Sequence, residues 1–141
     1  MDQRGTSIVV DASAALAGLL PGEESMAVPE LYSPATVWIV PGSFGLELLN
    51  AFVISARRGR ISGHDAEILV RKIRELPLAI DSFTVESAME VVGLALRHRL
   101  TAYDAAYLEL AIRMSAPLAT LDVDLVRAAL DEKVPVFAPR N

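Results

Sequence analysis

The chain has 141 residues, 52 % of them apolar and 22 % charged, and 18 acidic against 13 basic residues give a net charge of −5. That length bounds one domain with a core large enough to need no cross-links, and the apolar share excludes a disordered chain. The lack of cysteine excludes disulfides, thiolate metal sites and a cysteine nucleophile, and the net acidity excludes attraction of a polyanion by overall charge, so any such contact must come from a metal or a local basic patch.

Elements alternate in type along the chain. Residues 6–10 form a short, apolar, β-branched run, the pattern of a buried strand. A helix over 12–20 follows and is stopped by Pro21-Gly22. The stretch 8–20 carries Asp11, Ser13 and Gly18 and is too short to span a bilayer, which takes about 20 residues. The aspartate inside it also argues against a signal peptide. A cytoplasmic protein with no membrane contact is the expectation. Residues 36–40 read as a second strand and 41–58 as a helix ended by Gly59. Gly42 and Gly45 are poor helix formers, so the helix carrying Glu47 is expected to begin late or to kink there. A helix over 62–76 opens with Ser62 and Asp65 at capping-box spacing. A strand over 78–81, helices over 84–99 and 102–115, a strand over 117–121, a helix over 123–130 and a strand over 134–138 complete the chain. Strands separated by helices imply parallel pairing with right-handed crossovers, and strands apolar on both faces imply helices on both sides. The fold class is an α/β/α three-layer sandwich, a single domain over 1–141, with its functional edge at the carboxyl ends of the strands.

Several carboxylates occupy positions unlike a solvated surface. Asp11 directly follows the first strand, with Ser13 two residues on; as a helix N-cap it has an equally ordinary role. Glu47 shares one arc of its helix with Asn50, Arg57 and Arg58, either a solvated stripe or one facing a cleft. Asp104 fits a capping box with Thr101, yet its helical neighbours Tyr107, Leu108 and Ala111 place it within an apolar face, while Glu109 and Arg113 fall on the other side. A carboxylate so placed is costly unless paired or metal-bound. Asp122 and Asp124 follow the strand over 117–121, with Thr120 beside them; the capping alternative holds here too. Carboxylates that meet without a basic partner repel one another and need a cation. All-oxygen ligands suit Mg²⁺ or Mn²⁺. His64 and His98 lie beside charged residues and read as surface. Arg57, Arg58 and Arg60, or Arg71, Lys72 and Arg74, could hold nucleic-acid phosphates or form solvated helix ends.

Five segments together resemble the PIN-domain family, and within it the VapC-type toxins of bacterial toxin–antitoxin pairs. They are Val9-Val10-Asp11-Ala12-Ser13-Ala14, Glu47 with Asn50-Ala51-Phe52, Arg57-Arg58-Gly59, Leu100-Thr101-Ala102-Tyr103-Asp104-Ala105-Ala106-Tyr107-Leu108, and Leu118-Ala119-Thr120-Leu121-Asp122. They occur in family order and span nearly the whole chain. The resemblance implies a parallel five-stranded sheet and a metal-dependent ribonuclease. It implies a carboxylate cluster of Asp11, Glu47, Asp104 and Asp122 that binds one or two Mg²⁺ or Mn²⁺ ions. Ser13 and Thr120 match the supporting hydroxyl positions, and Asp124 is an extra acid where the family varies. The resemblance further implies a homodimer and a cognate antitoxin. The alternative is a PIN-fold protein-binding module of weak or no activity, whose acidic cleft receives a basic partner segment; the presence of all four carboxylates speaks against it. A phosphatase using Asp11 as nucleophile wants a second Asp where Ser13 stands, and no phosphate-binding glycine loop is present.

Overall fold

A computed structural model describes residues 5–139. Five strands, β1 (Ser7–Val10), β2 (Val37–Pro41), β3 (Leu78–Asp81), β4 (Leu118–Ala119) and β5 (Val136–Phe137), form one parallel sheet in the order β3-β2-β1-β4-β5. Six helices connect them: α1 (Ala12–Leu19), α2 (Phe44–Arg57), α3 (Gly63–Ile73), α4 (Val85–His98), α5 (Ala102–Met114) and α6 (Val123–Asp131). The order moves outward from β1 to β2 and β3, then returns to the other side for β4 and β5. Right-handed crossovers therefore place α1–α3 on one face and α4–α6 on the other. The packing agrees, since α2 touches α1 and α3, and α5 touches α4 and α6. The three-layer parallel architecture expected from the alternation is the one observed.

The direction of winding reverses between β1 and β4, which makes their shared carboxyl edge the switch point where open α/β sheets bind ligands. Register is firm there: Val9 lies opposite Leu118 and Val10 opposite Ala119. The Asp11 N–H donates to the Ala119 carbonyl at 3.1 Å. The residues that follow each strand, Asp11 and Thr120, are thus neighbours by construction.

The core lies on both sides of β1, with Ile8, Val9 and Val10 buried together with Trp38, Phe44, Leu48, Phe52, Tyr107, Leu108 and Leu118. Its continuity follows from the unbroken apolar runs of the central strands. The edge strand departs from that pattern. Ile80 in β3 is exposed, so helices do not cover every strand on both faces.

Local expectations need adjustment, beginning with β4 and β5, which are shorter than the expected runs 117–121 and 134–138. β2 runs through Pro41, whose fixed φ is tolerated in a strand, and Gly42-Ser43 make the turn, so α2 starts at Phe44. The late start foreseen from the two glycines is real, and the assignment of residues 41–43 to the helix is not. α3 ends at Ile73 rather than at residue 76. The segment between α1 and β2 contains two 3₁₀ turns, Glu24–Met26 and Pro29–Tyr32, that had no sequence signal apart from Pro29. The second holds Trp38, whose indole N–H donates to the Leu31 carbonyl at 3.1 Å. It also sets the Tyr32 hydroxyl against Gly18 of α1, where a Cβ would collide with it.

Candidate active site

Asp11 sits at the mouth of the switch point, 3 % exposed, and both of its carboxylate oxygens accept hydrogen bonds. Oδ1 accepts the Ala14 N–H at 3.0 Å, capping α1, and the Ser13 hydroxyl at 2.6 Å. Oδ2 accepts the Thr120 hydroxyl at 2.6 Å. The same two hydroxyl oxygens accept backbone N–H groups from the segment after β4. Ser13 takes that of Leu121 and Thr120 that of Asp122, each at 3.0 Å. Ser13 and Thr120 therefore stitch the two strand ends together and aim Asp11. The family resemblance points to the same two hydroxyls.

Asp122 caps α6, with Oδ1 accepting the Leu125 N–H at 2.9 Å. Asp104 lies in the first turn of α5, where its N–H donates to the Thr101 hydroxyl at 3.1 Å. Only that half of a capping box forms. In α3 both halves form, between Ser62 and Asp65, as the spacing predicts. Asp104 is half-buried, whereas Tyr103 and Met114 on the same helix are exposed. Glu47, in the first turn of α2, accepts the Ser43 hydroxyl at 3.1 Å and the Tyr107 hydroxyl at 3.2 Å, both on Oε1.

The charges bind these residues into one cluster. Burial pushes the Asp11 carboxyl up, its three hydrogen bonds pull it back, and the charge of Asp104 raises it further. Burial raises Glu47 as well, with Asp104 and Asp11 adding to it. Asp104 is raised by burial, then by Asp122 and, more weakly, by Asp124. Asp104 links the set: its charge acts on Asp11 and Glu47, and the charges that raise Asp104 itself are the acids Asp122 and Asp124. Asp124 itself is exposed and paired with Arg127 at 3.1 Å, so it acts from the rim.

The donor set is all oxygen, anionic and partly desolvated, which fits a hard divalent ion. The carboxylates act on one another by charge without closing on a point: among the described residues no three His, Asp or Glu side chains form a ready metal cage. The fit is therefore one of charge and chemistry.

The remaining candidates lie elsewhere. Asn50 is exposed one turn beyond Glu47. Arg57 ends α2 ten residues after Glu47, about 15 Å along the axis, with Arg58 and Arg60 exposed just beyond. Lys72 lines an open cavity of about 450 Å³ with Trp38, Glu75 and Pro77, among residues that precede β2 and β3, at the amino-terminal edge of the sheet. His64 is exposed as expected, but His98 is not a surface residue. Its side chain is 10 % exposed, and Nε2 lies 2.8 Å from Glu132 Oε1. Glu109 is also buried rather than solvent-facing. Arg113 holds it at 2.8 Å and forks to Asp81 at 2.6 Å. Two residues of the site escaped the sequence reading, Ser43 and Tyr107. Their signal was present in spacing alone, four residues before Glu47 and three after Asp104, positions that share a helical face or turn.

The fold has counterparts among known proteins. Residues 8–130 match the PIN domain. The chain is 33 % identical over 120 residues to Ribonuclease VapC3 of Pyrobaculum aerophilum, covering 84 % of this chain and 91 % of that one. Among solved structures it resembles PAE2754 of the same organism, with a TM-score of 0.67 and 24 % identity over 95 % of this chain and 86 % of that one. It also resembles Mycobacterium tuberculosis VapC20, a toxin that cleaves the sarcin-ricin loop, with a TM-score of 0.62 and 20 % identity over 86 % of this chain and 94 % of that one. The sheet order, the matched span and the full-length relative leave one assignment, and the chain belongs to the PIN-domain family.

Proposed function

We propose that this protein is a divalent-metal-dependent endoribonuclease and the toxin of a toxin–antitoxin pair. One observation carries the reading: Asp11, Glu47, Asp104 and Asp122 converge electrostatically at the β1/β4 switch point, where their mutual repulsion calls for a cation. The ribonuclease relative and the toxin neighbour support RNA as the polymer cut.

Asp11, Asp104 and Asp122 would hold Mg²⁺ or Mn²⁺, and Glu47 would hold a second ion or orient the attacking water. A bound divalent ion supplies charge neutralisation at the scissile phosphate and acidifies a water. Ser13 and Thr120 keep Asp11 aimed, so the carboxylate need not reorganise when RNA arrives. Arg57, Arg58 and Arg60 contact flanking phosphates, away from the cluster. The antitoxin is a protein that places an Arg or Lys among the carboxylates, where the ion would sit. The protein works as a homodimer in the cytoplasm as one domain; no helix among the described residues is long and apolar enough to cross a membrane.

The test is cleavage of RNA by the purified protein. It should need Mg²⁺ or Mn²⁺, stop on addition of EDTA, and fall to background in Asp11→Asn and in Asp104→Asn. Cleavage that persists in both variants, or in EDTA, overturns the mechanism.

A further inference from the structure

Glu47 is braced in a way that the family's acidic pattern does not explain. Both hydroxyls that reach it donate to the same oxygen, Oε1. No hydrogen bond among the described residues engages Oε2. One of the donors is local. Ser43 stands at the N-cap position of α2, but its hydroxyl makes no capping bond and turns to Glu47 instead. The other donor comes from 60 residues away, on α5, three positions after Asp104. Tyr107 is fully buried, so its phenol cannot reach RNA, and its ring is part of the core. Burial and the surrounding carboxylates push its ionisation far above the ordinary phenol range, so it always carries its proton. A buried phenol aimed at a carboxylate has no role in packing that phenylalanine would not fill.

We propose that Tyr107 is a positioning residue, pinning Glu47 Oε1 together with Ser43 so that Oε2 alone is presented to the divalent ion and water of the site. The inference rests on the ribonuclease reading for what Oε2 meets. The brace itself rests only on the two hydrogen bonds and the burial. Because α5 also carries Asp104, a single helix sets the position of one carboxylate and the orientation of another. A Glu side chain has three rotatable bonds, and without the brace its oxygens would exchange places in the cleft. Loss of a hydrogen-bond partner behind a metal-binding carboxylate costs roughly 10-fold or more in affinity or activity.

The experiment compares the full chain with Tyr107→Phe, Glu47→Ala and the double variant in two measurements. The first is thermal melting without metal. Tyr107→Phe should lower the melting temperature of the parent but not of Glu47→Ala, where the hydroxyl has already lost its acceptor. The second is Mn²⁺ titration by calorimetry, with RNA turnover alongside. Tyr107→Phe should weaken Mn²⁺ binding and lower kcat by roughly 10-fold each, leave KM for RNA unchanged, and add nothing in the Glu47→Ala background. Equal Mn²⁺ affinity and turnover in Tyr107→Phe and the parent overturns the proposal, as does an equal loss with and without Glu47. A parent that binds no Mn²⁺ and cuts no RNA overturns the ribonuclease reading instead. The melting comparison then decides the brace by itself.

Discussion

At Asp11 and Asp122, capping and chemistry prove not to be alternatives. Each gives Oδ1 to a helix N-terminus while remaining in the carboxylate cluster. The positive end of the helix dipole then offsets part of the repulsion that the cluster creates. From sequence, the cap and the ligand compete as explanations, because a single residue type signals both. Only the β1–β4 register brings Asp11 and Thr120 side by side. Asp104 separates the two roles. Its folded carboxyl titrates above its unfolded value, so the native state holds more protons in that window, and stability falls as pH rises through it. Asp104→Asn removes this loss. Without metal, the variant should melt at or above the parent, and its advantage should grow as pH rises above the ordinary carboxylate value of 3.8. Added Mn²⁺ should raise the parent's melting temperature more than the variant's. If Asp104 served α5 only as a first-turn acid, the variant would melt lower, by up to about 1 kcal/mol, with an unchanged metal response. Tyr107 was less legible than the acids, since a tyrosine on an apolar face carries no hint of where its hydroxyl ends.

Helix α5 is the element on which the site depends most, and the sequence located it closely, expecting 102–115 against the observed Ala102–Met114. Its polarity was harder to read. Helical periodicity put Glu109 and Arg113 on a solvent face, because a lone helix has no way to show that Asp81 of β3 comes within reach of Arg113. In the fold, Glu109 is buried under Arg113, and Arg113 makes a two-pronged contact with Asp81 at the carboxyl end of β3. This ion-pair chain fastens α5, with Asp104 and Tyr107, to the edge of the sheet. Removing Arg113 leaves the Glu109 carboxylate buried without a counter-charge. Arg113→Ala should therefore cost about 3 kcal/mol in urea unfolding, while Glu109→Gln combined with Arg113→Ala should recover much of it. A cost for Arg113→Ala no larger than that of an exposed pair, about 0–1 kcal/mol, would mean that α5 is held by packing alone. The same reasoning explains His98. Charged neighbours in sequence suggested a surface residue, but the partner that covers it, Glu132, arrives from the end of α6.

Across the whole molecule the fold buries a continuous core yet leaves a second apolar stripe in solvent. Val85, Met89, Val92 and Leu96 recur at helical spacing along α4, all between 54 % and 79 % exposed, while Leu94 on the same helix faces the core. Phe83, just before α4, and Ile80, on the outer strand β3, continue the surface. An apolar groove of about 480 Å³ runs beside it, past Phe83, Val92 and Tyr103. The family resemblance implies a homodimer without saying which face pairs; the exposed stripe on α4 is the face we expect to do so. A helix apolar on two sides is one that packs twice. The occupant that suits it is a second copy of the same chain, since a two-fold axis lets one stripe cover itself. Light scattering at micromolar concentration should give a dimer for the parent. Met89→Glu with Leu96→Glu should give a monomer with an unchanged circular dichroism spectrum, because both side chains already lie in solvent. The acidic cleft is built by α1, α2, α5 and α6, so the monomer should keep Mn²⁺ binding. A parent that runs as a monomer removes the dimer. A double variant that stays dimeric moves the interface off α4, and a stripe then left bare would suit the antitoxin.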